Sequence, residues 1–207
     1  TGVISNNWNA LGIYVYLSSN NTFNGNTTKG NAAYGFYGVG GSNNIFTSNI
    51  VQGNGIVGLT LESSSSNNTV TGNTVQGNPT GIYLNNSANN NTVTGNTFLG
   101  NTSTAIFVYA SANNNVISSN NIYDSGGATN NNGIELSSIG SAVGVTVTDN
   151  NVTGARNGYN LWNCTSTNTV TISGGVLTNC NTGVFANNYD GYTSNADPSV
   201  YAMTGIT

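Results

Sequence analysis

Apolar and polar residues alternate along this chain in short bursts, and runs of Asn, Gly and Ser separate the bursts. A period of two sends successive side chains to opposite faces of a strand, and no stretch sustains the helical period of 3.6. The bursts repeat. Asn67-Asn68-Thr69-Val70-Thr71-Gly72-Asn73-Thr74-Val75 returns as Asn90-Asn91-Thr92-Val93-Thr94-Gly95-Asn96-Thr97-Phe98, and the same frame stands at Asn20-Asn21-Thr22-Phe23, Asn43-Asn44-Ile45-Phe46 and Asn114-Asn115-Val116-Ile117. A second anchor closes each copy, a small residue followed by apolar-x-apolar. It reads Gly12-Ile13-Tyr14-Val15, Gly58-Leu59-Thr60-Leu61, Gly81-Ile82-Tyr83-Leu84, Ala105-Ile106-Phe107-Val108, Gly133-Ile134-Glu135-Leu136, Gly158-Tyr159-Asn160-Leu161 and Gly183-Val184-Phe185-Ala186, with Gly35-Phe36-Tyr37-Gly38 as the weakest copy.

Each copy, about 23 to 25 residues long, predicts three short strands, around Val70, around Val75 and over Ile82 to Leu84. One copy cannot bury its apolar face alone. Stacking the copies at ~4.8 Å per rung builds a continuous core and pairs the backbone between rungs. The expected architecture is all-β, a parallel β-helix of about eight to nine rungs with three strands per rung. Residues 1–207 form one domain, regular over about 12–136 and looser over 137–207, with loop insertions near Gly126 to Asn132 and Tyr189 to Asp197. Alternation sends Val70, Val75, Ile82 and Leu84 inward and Thr69, Thr71 and Tyr83 outward. Asn68, Asn73 and Asn78 fall at the bends with inward parity, where stacked amides can bond along the axis.

The pattern N-N-x-V-x-G-N-x-V-x-G-N-x-x-G-I-x-L, which stands unbroken over residues 67–84, resembles the NosD-like repeats of right-handed parallel β-helix proteins. The resemblance covers nearly the whole chain, most clearly residues 12 to 136. It implies the right-handed coil, and a superfamily of carbohydrate-binding proteins, pectin-degrading enzymes, surface proteins and phage spikes. One such fold hosts many activities, so the resemblance points to architecture more than to function.

Composition narrows the choice. Charged residues are 4% of the 207, with two basic side chains, six acidic ones and no His; ordinary domains carry roughly 25%. Two cations cannot form a basic patch, so nucleic acid is excluded as a partner. No apolar run reaches the roughly 18 residues of a membrane span. The chain opens on Thr1-Gly2-Val3, as expected of a processed or excised segment. Scarce Lys with abundant Asn and Thr points to an extracellular or cell-surface protein.

Catalytic groups are sparse. Hydrolysis of a glycosidic bond needs two carboxylates roughly 5 to 10 Å apart. Glu62 and Glu135 fall three rungs apart at different strand positions, and Asp124 and Asp149 fall at different turns of neighbouring rungs; Asp190 and Asp197 complete the acids. The signatures N-T-D, D-D and G-H-G of polygalacturonases are absent. A pectate-type lyase needs a calcium-binding acid cluster and a base; Arg156 has no such cluster, and Lys29 lies five rungs away. No metal or cofactor site is expected, since there is no His and no run of ligand spacing. Cys180 aligns with the bend position of Asn78, and Cys164 falls after the third strand of the rung before; a disulfide between them and two separate small residues are both open readings.

Three surface features remain. Tyr14, Tyr37, Tyr83, Phe107 and Phe185 form an outward aromatic stripe on the third sheet, interrupted by Thr60, Glu135 and Asn160, able to bind sugar rings or meet another subunit. Thr69/Thr71, Thr92/Thr94, Thr146/Thr148 and Thr169/Thr171 form a threonine array on the first sheet, broken at Asn24, Ile45, Val116 and Ser118; such arrays resemble ice-binding faces. Eight N-x-S/T sequons stand at Asn20, Asn26, Asn67, Asn85, Asn90, Asn101, Asn151 and Asn163 as glycosylation candidates. The sequence therefore favours a non-catalytic structural solenoid that self-associates into a homo-polymer through ends or faces, as a filament, sheath or spike. The open-ended strands Gly2-Val3-Ile4 and Thr204-Gly205-Ile206-Thr207 motivate that reading. The alternatives are a carbohydrate-binding or carbohydrate-modifying β-helix, and an ice-binding one.

Overall fold

A computed structural model describes residues 2–5, 10–124, 131–137, 144–162, 170–187 and 201–207. These residues build three eight-stranded sheets in which every neighbouring pair is parallel and comes from successive copies of the repeat. One rung shows the plan. Thr69–Thr71 belongs to the first sheet, Thr74–Gln76 to the second and Thr80–Leu84 to the third. Its strands pair residue for residue with the rungs on either side: Val70 stands between Phe46 and Val93, Val75 between Val51 and Phe98, and Ile82 between Leu59 and Ile106. The structure is a parallel β-solenoid of about seven turns. Seven complete rungs stand between partial ones, with Val3–Ser5 and Leu11–Tyr16 at one end and Tyr201–Thr204 at the other. The coil is thus slightly shorter than the eight to nine rungs expected, because the partial copies at the ends do not complete a turn.

The predicted sides hold. Val70, Val75, Ile82 and Leu84 are fully buried, and Thr69, Thr71 and Tyr83 are half-buried on the outside. The core is one column of like residues per strand position, for example Val51, Val75, Phe98, Ile122 and Val152 on the second sheet. In one place the column carries a polar group. Thr28 occupies the position next to Val51, and its buried Oγ1 has no partner.

The corners follow a two-residue rule. The first residue takes the left-handed region, and the second turns its Asn side chain inward. Asn67, Gly72 and Gly77 have φ of 58°, 64° and 61°, and the next rung repeats this at Asn90, Gly95 and Gly100. Gly enters that region freely and Asn tolerates it, which is why the repeat reads N-N, G-N, G-N. The inward amides form three ladders. In the middle one, Asn73 donates both its backbone N–H and its Nδ2 to Asn96 Oδ1, each at 2.9 Å. Asn96 repeats the pair to Asn120 at 3.0 Å, and Asn120 to Asn150. Each Nδ2 also reaches back to a carbonyl of the rung before, as Asn96 does to Val70 at 2.9 Å.

The third ladder runs through Asn31, Asn54, Asn78 and Asn101. Its last amide-to-amide bond joins Asn78 to Asn101; Asn131 Nδ2 has no partner, and Ala155 stands at the next ladder place. Cys180 takes the following place, as its alignment with Asn78 predicts. Asn78 Nδ2 donates to Val51 and Gln76 carbonyls, and the thiol of Cys180 faces the equivalent carbonyls of Val152 and Thr178 at 3.9 and 3.6 Å. Among the described residues Cys180 is a free thiol, its pKa raised mainly by burial; Cys164 lies outside them.

Rung length changes along the coil. Ladder steps span 23 or 24 residues up to Asn120, and the step from Asn120 to Asn150 spans 30. The extra residues fall in 125–130 and 138–143. Those segments and 188–200 lie outside the described residues, and they hold most of the first predicted insertion and all of the second.

Candidate functional site

Seven of the eight third-sheet strands begin beside a glycine, and Thr104–Tyr109 has Ala105 there; most of these glycines lie flat against the next rung. A Cβ on Gly81 would sit 2.5 Å from the Ala105 carbonyl oxygen and 2.9 Å from a Phe98 ring carbon. Pairing skips this residue: Leu11 pairs with Tyr34 and Ile13 with Phe36, while Gly12 and Gly35 between them make no register pair. Alternation then resumes, and the outer face carries three columns instead of two.

The central column is the predicted stripe. Tyr14, Tyr37, Thr60, Tyr83, Phe107, Glu135, Asn160 and Phe185 succeed one another in unbroken register. Tyr14 and Tyr37 stack at 5.6 Å between ring centroids, and Tyr83 and Phe107 at 5.0 Å. The flanking columns add aromatics that sequence reasoning missed. Tyr16, Tyr109 and Trp162 stand two residues beyond the centre, where strand parity alone could have found them. Tyr34 stacks on Tyr37 at 4.6 Å from a position three residues earlier, where simple alternation points it inward; only the glycine skip brings it out. Phe185 stacks on Trp162 at 6.5 Å.

Both glutamates lie on this face, each bonded to its neighbours. Tyr37 Oη donates to Glu62 Oε1 at 2.5 Å. Asn132 Nδ2 and Thr104 Oγ1 donate to Glu135 Oε2 at 2.8 and 3.2 Å. The two carboxylates stand three rungs apart, about 14 Å at the usual strand spacing, and so do not form a hydrolytic pair. Burial and the Glu62 carboxylate hold the Tyr37 hydroxyl well above the usual tyrosine range, and burial raises Tyr83 to about 12. Both phenols are neutral donors at physiological pH.

Four buried polar atoms among the described residues have no hydrogen-bond partner, and two of them belong to the central column: Thr60 Oγ1 and Asn160 Oδ1. Thr60 is covered by its tyrosine neighbours. Asn160 instead lines an open recess of about 240 Å³, walled by Asn132, Arg156, Asn157, Trp162, Thr182 and Phe185.

The first-sheet hydroxyl face differs from its prediction at one end. In the strand Val170–Ser173, Thr171 follows Thr146 and Ser173 follows Thr148, and Tyr201–Thr204 pairs beyond it; Thr169 lies outside the described residues. The reason is register, since Val170 takes the buried corner position of Val145. Ile45 and Val116 interrupt one column as expected, while Thr47, Thr71, Thr94, Ser118, Thr148 and Ser173 run on in the other.

The sequons divide by corner position. Asn20, Asn67 and Asn90 are exposed left-handed corner residues, and Asn151 is exposed on the second sheet. Asn26 and Asn85 are half-buried, Asn101 is buried in the third ladder with Nδ2 on the Val75 carbonyl at 3.0 Å, and Asn163 lies outside the described residues.

Residues 2–138 match the family model described as periplasmic copper-binding protein (NosD). The chain belongs to the NosD family. No curated protein matches it. Among solved structures this NosD-family chain is similar to a variant of the periplasmic alginate epimerase AlgG, at 18% identity and a TM-score of 0.77, over 95% of this chain and 48% of that one. A second AlgG structure gives 17% and 0.67, over 95% and 47%. The chain thus spans about half the length of the structures it matches, and at such identity the likeness is one of fold. The family description raises copper. Copper sites use imidazole, thiolate or thioether donors; the chain has no His, Cys180 faces carbonyls, and no group of three His, Cys, Asp or Glu that could hold a metal occurs among the described residues. These residues do not fit a copper centre. No helix among them is long and apolar enough to cross a membrane.

Proposed function

We propose that this NosD-family chain is a non-catalytic glycan-binding module of an exported protein of the cell envelope or surface, binding its ligand along the outer face of the third sheet. The observation that carries the reading is the central column, where pairs of aromatic rings are separated in register by hydroxyl, carboxylate and amide groups. Ring faces pack against the C–H faces of sugars, and polar groups between them meet hydroxyls. A flat face with one ring or polar group per rung suits an extended chain lying along the solenoid axis. Two supports are external to the face: the family is described as periplasmic, and a protein sharing the fold is named for its action on alginate. The homo-polymeric filament that the repeat pattern favours has no comparable set of side chains behind it. On the exposed corners, Asn20, Asn67 and Asn90 are the acceptors to expect in a host that N-glycosylates.

The test is titration calorimetry of the full chain against a polysaccharide panel, with Tyr83→Ala as the variant. Loss of one stacking platform is expected to weaken binding about tenfold with an unchanged circular dichroism spectrum. No binding across the panel, or equal affinity of parent and variant, would falsify the proposal.

A further inference from the structure

We infer that the recess at Asn160 is a subsite for one anionic sugar unit, a ring bearing a carboxylate or a sulfate ester; the inference rests on the glycan-binding reading above. Three observations converge on it. The first is an open aromatic platform, since Trp162 and Phe185 stack at 6.5 Å and 23° while each stays 37% exposed. The second is an orphaned acceptor. Asn160 is 8% exposed and its Oδ1 has no partner. A buried acceptor is nearly always satisfied in folded proteins, and leaving one unmade is unfavourable. Asn160 lines the recess with its Oδ1 beneath the surface, and a turn of the amide about its last torsion brings that acceptor to the hydroxyl donor of a sugar. The third is charge. The chain has a net charge of −4 and two cationic side chains, and one of these, Arg156, lines this recess. A guanidinium meets the planar oxygens of a carboxylate or sulfate with paired N–H donors.

The rest of the wall is consistent with that assignment. Asn157 Nδ2 donates to Asn132 Oδ1 at 2.8 Å, which fixes the amide side of the recess. The nearest carboxylate in the column, Glu135, is occupied by donors from Thr104 of the preceding rung and from Asn132 in the recess wall. The ring would stack on Trp162 and Phe185, give a hydroxyl proton to Asn160 Oδ1 and set its anionic group against Arg156. Asn160 and Arg156 are then specificity residues for one unit of a longer ligand, and the rings of Tyr83 and Phe107 carry the units before it.

The experiment uses calorimetry on the full chain with three hexasaccharides of matched galacto configuration: a neutral galactan, an oligogalacturonate and a sulfated galactan. At least one acidic ligand should bind about tenfold tighter than the neutral one, and added salt should narrow the gap. Arg156→Gln should bring the acidic ligand down to the neutral affinity. Asn160→Ala should weaken all three several-fold without lowering the melting temperature, because Oδ1 has no bond to lose. Which acidic ligand wins separates the carboxylate from the sulfate. Equal affinity for all three, or an acidic preference that survives Arg156→Gln, overturns the anionic subsite. If that uniform binding is also lost on Tyr83→Ala, the glycan-binding face stands without it. No binding by any of the three overturns the subsite, and no binding across the wider polysaccharide panel overturns both.

Discussion

Replacing Asn96 by Ala in the middle ladder should be among the more damaging single truncations in the coil. The Asn96 side chain accepts the backbone N–H and Nδ2 of Asn73, both at 2.9 Å. It donates to Asn120 Oδ1, the Val70 carbonyl and the Thr94 carbonyl at 3.0, 2.9 and 3.1 Å. Its surroundings are dry, since Asn73, Asn96 and Asn120 are all buried. Alanine leaves the Asn73 N–H without its acceptor and takes a donor from the Val70 carbonyl. Asn73 Nδ2 keeps its bonds to the Phe46 and Thr71 carbonyls. Two buried groups deprived at roughly 1–3 kcal/mol each give about 2–6 kcal/mol, and the shared bonds add smaller losses. That is a large part of the 5–15 kcal/mol typical of a domain. The internal control is Asn21→Ala, in the first ladder. Asn21 is only half-buried and bonds to Ser18, Ser19 and Asn44, so water can replace its partners and about 1 kcal/mol is expected. Urea unfolding followed by circular dichroism measures both. If Asn96→Ala and Asn21→Ala lose the same stability, the ladders are surface decoration of the corners and the argument from buried amides fails.

Three further outcomes follow from single side chains. Thr28→Val removes an unpartnered hydroxyl from the column that continues as Val51, so the midpoint of urea unfolding should rise by the equivalent of about 1–2 kcal/mol; a fall would mean that Thr28 Oγ1 has a partner. Tyr159 is fully buried, and burial, then the Asp149 charge, raises its pKa from 10.0 to about 12. A raised folded-state pKa means stability that is intact below pH 10 and lost as pH climbs toward 12, by roughly 2–3 kcal/mol; Tyr159→Phe should flatten that part of the melting-temperature profile, and a profile identical to the parent would refute the assignment. Cys180→Asn should place an amide at this corner apart from the ladder, with Nδ2 on the Val152 and Thr178 carbonyls that the thiol now faces, and raise the melting temperature by the few degrees that about 1 kcal/mol represents; a fall in melting temperature would refute this.

The parts of this fold that were legible in the sequence are those fixed by short-range rules. Strand parity placed Val70, Ile82 and Tyr83 correctly because one backbone geometry repeats in every rung. Asn73 and Asn78 were readable as ladder residues because the left-handed corner restricts the residue before them, and that restriction shows as G-N. Two things were not legible. Tyr34 emerges beside Tyr37 only because Gly35 lies flat against the next rung, a contact between copies that no local period encodes. Thr169 was assigned to the threonine array because T-x-T recurs there, whereas the burial of Val170 at the corner sets the register two residues later. In both cases packing between rungs overrode the local pattern.

The same distinction governs the candidate site. The central column could be read in advance because register makes it a simple consequence of the repeat. The Asn160 recess could not, because it exists only where the repeat departs from its own consensus. At the position where Tyr or Phe recurs, this rung carries Asn, and the shorter side chain opens space between Glu135 and Phe185. Arg156 likewise stands in a corner sequence that has lost its Asn, since Ala155 replaces the ladder residue and Arg156 follows it. A solenoid gains a local pocket by breaking its periodicity, because intact rungs stack flush and leave no concavity. The rungs that depart most from the consensus are therefore where specificity is to be sought, and the regular rungs serve to hold that departure in place.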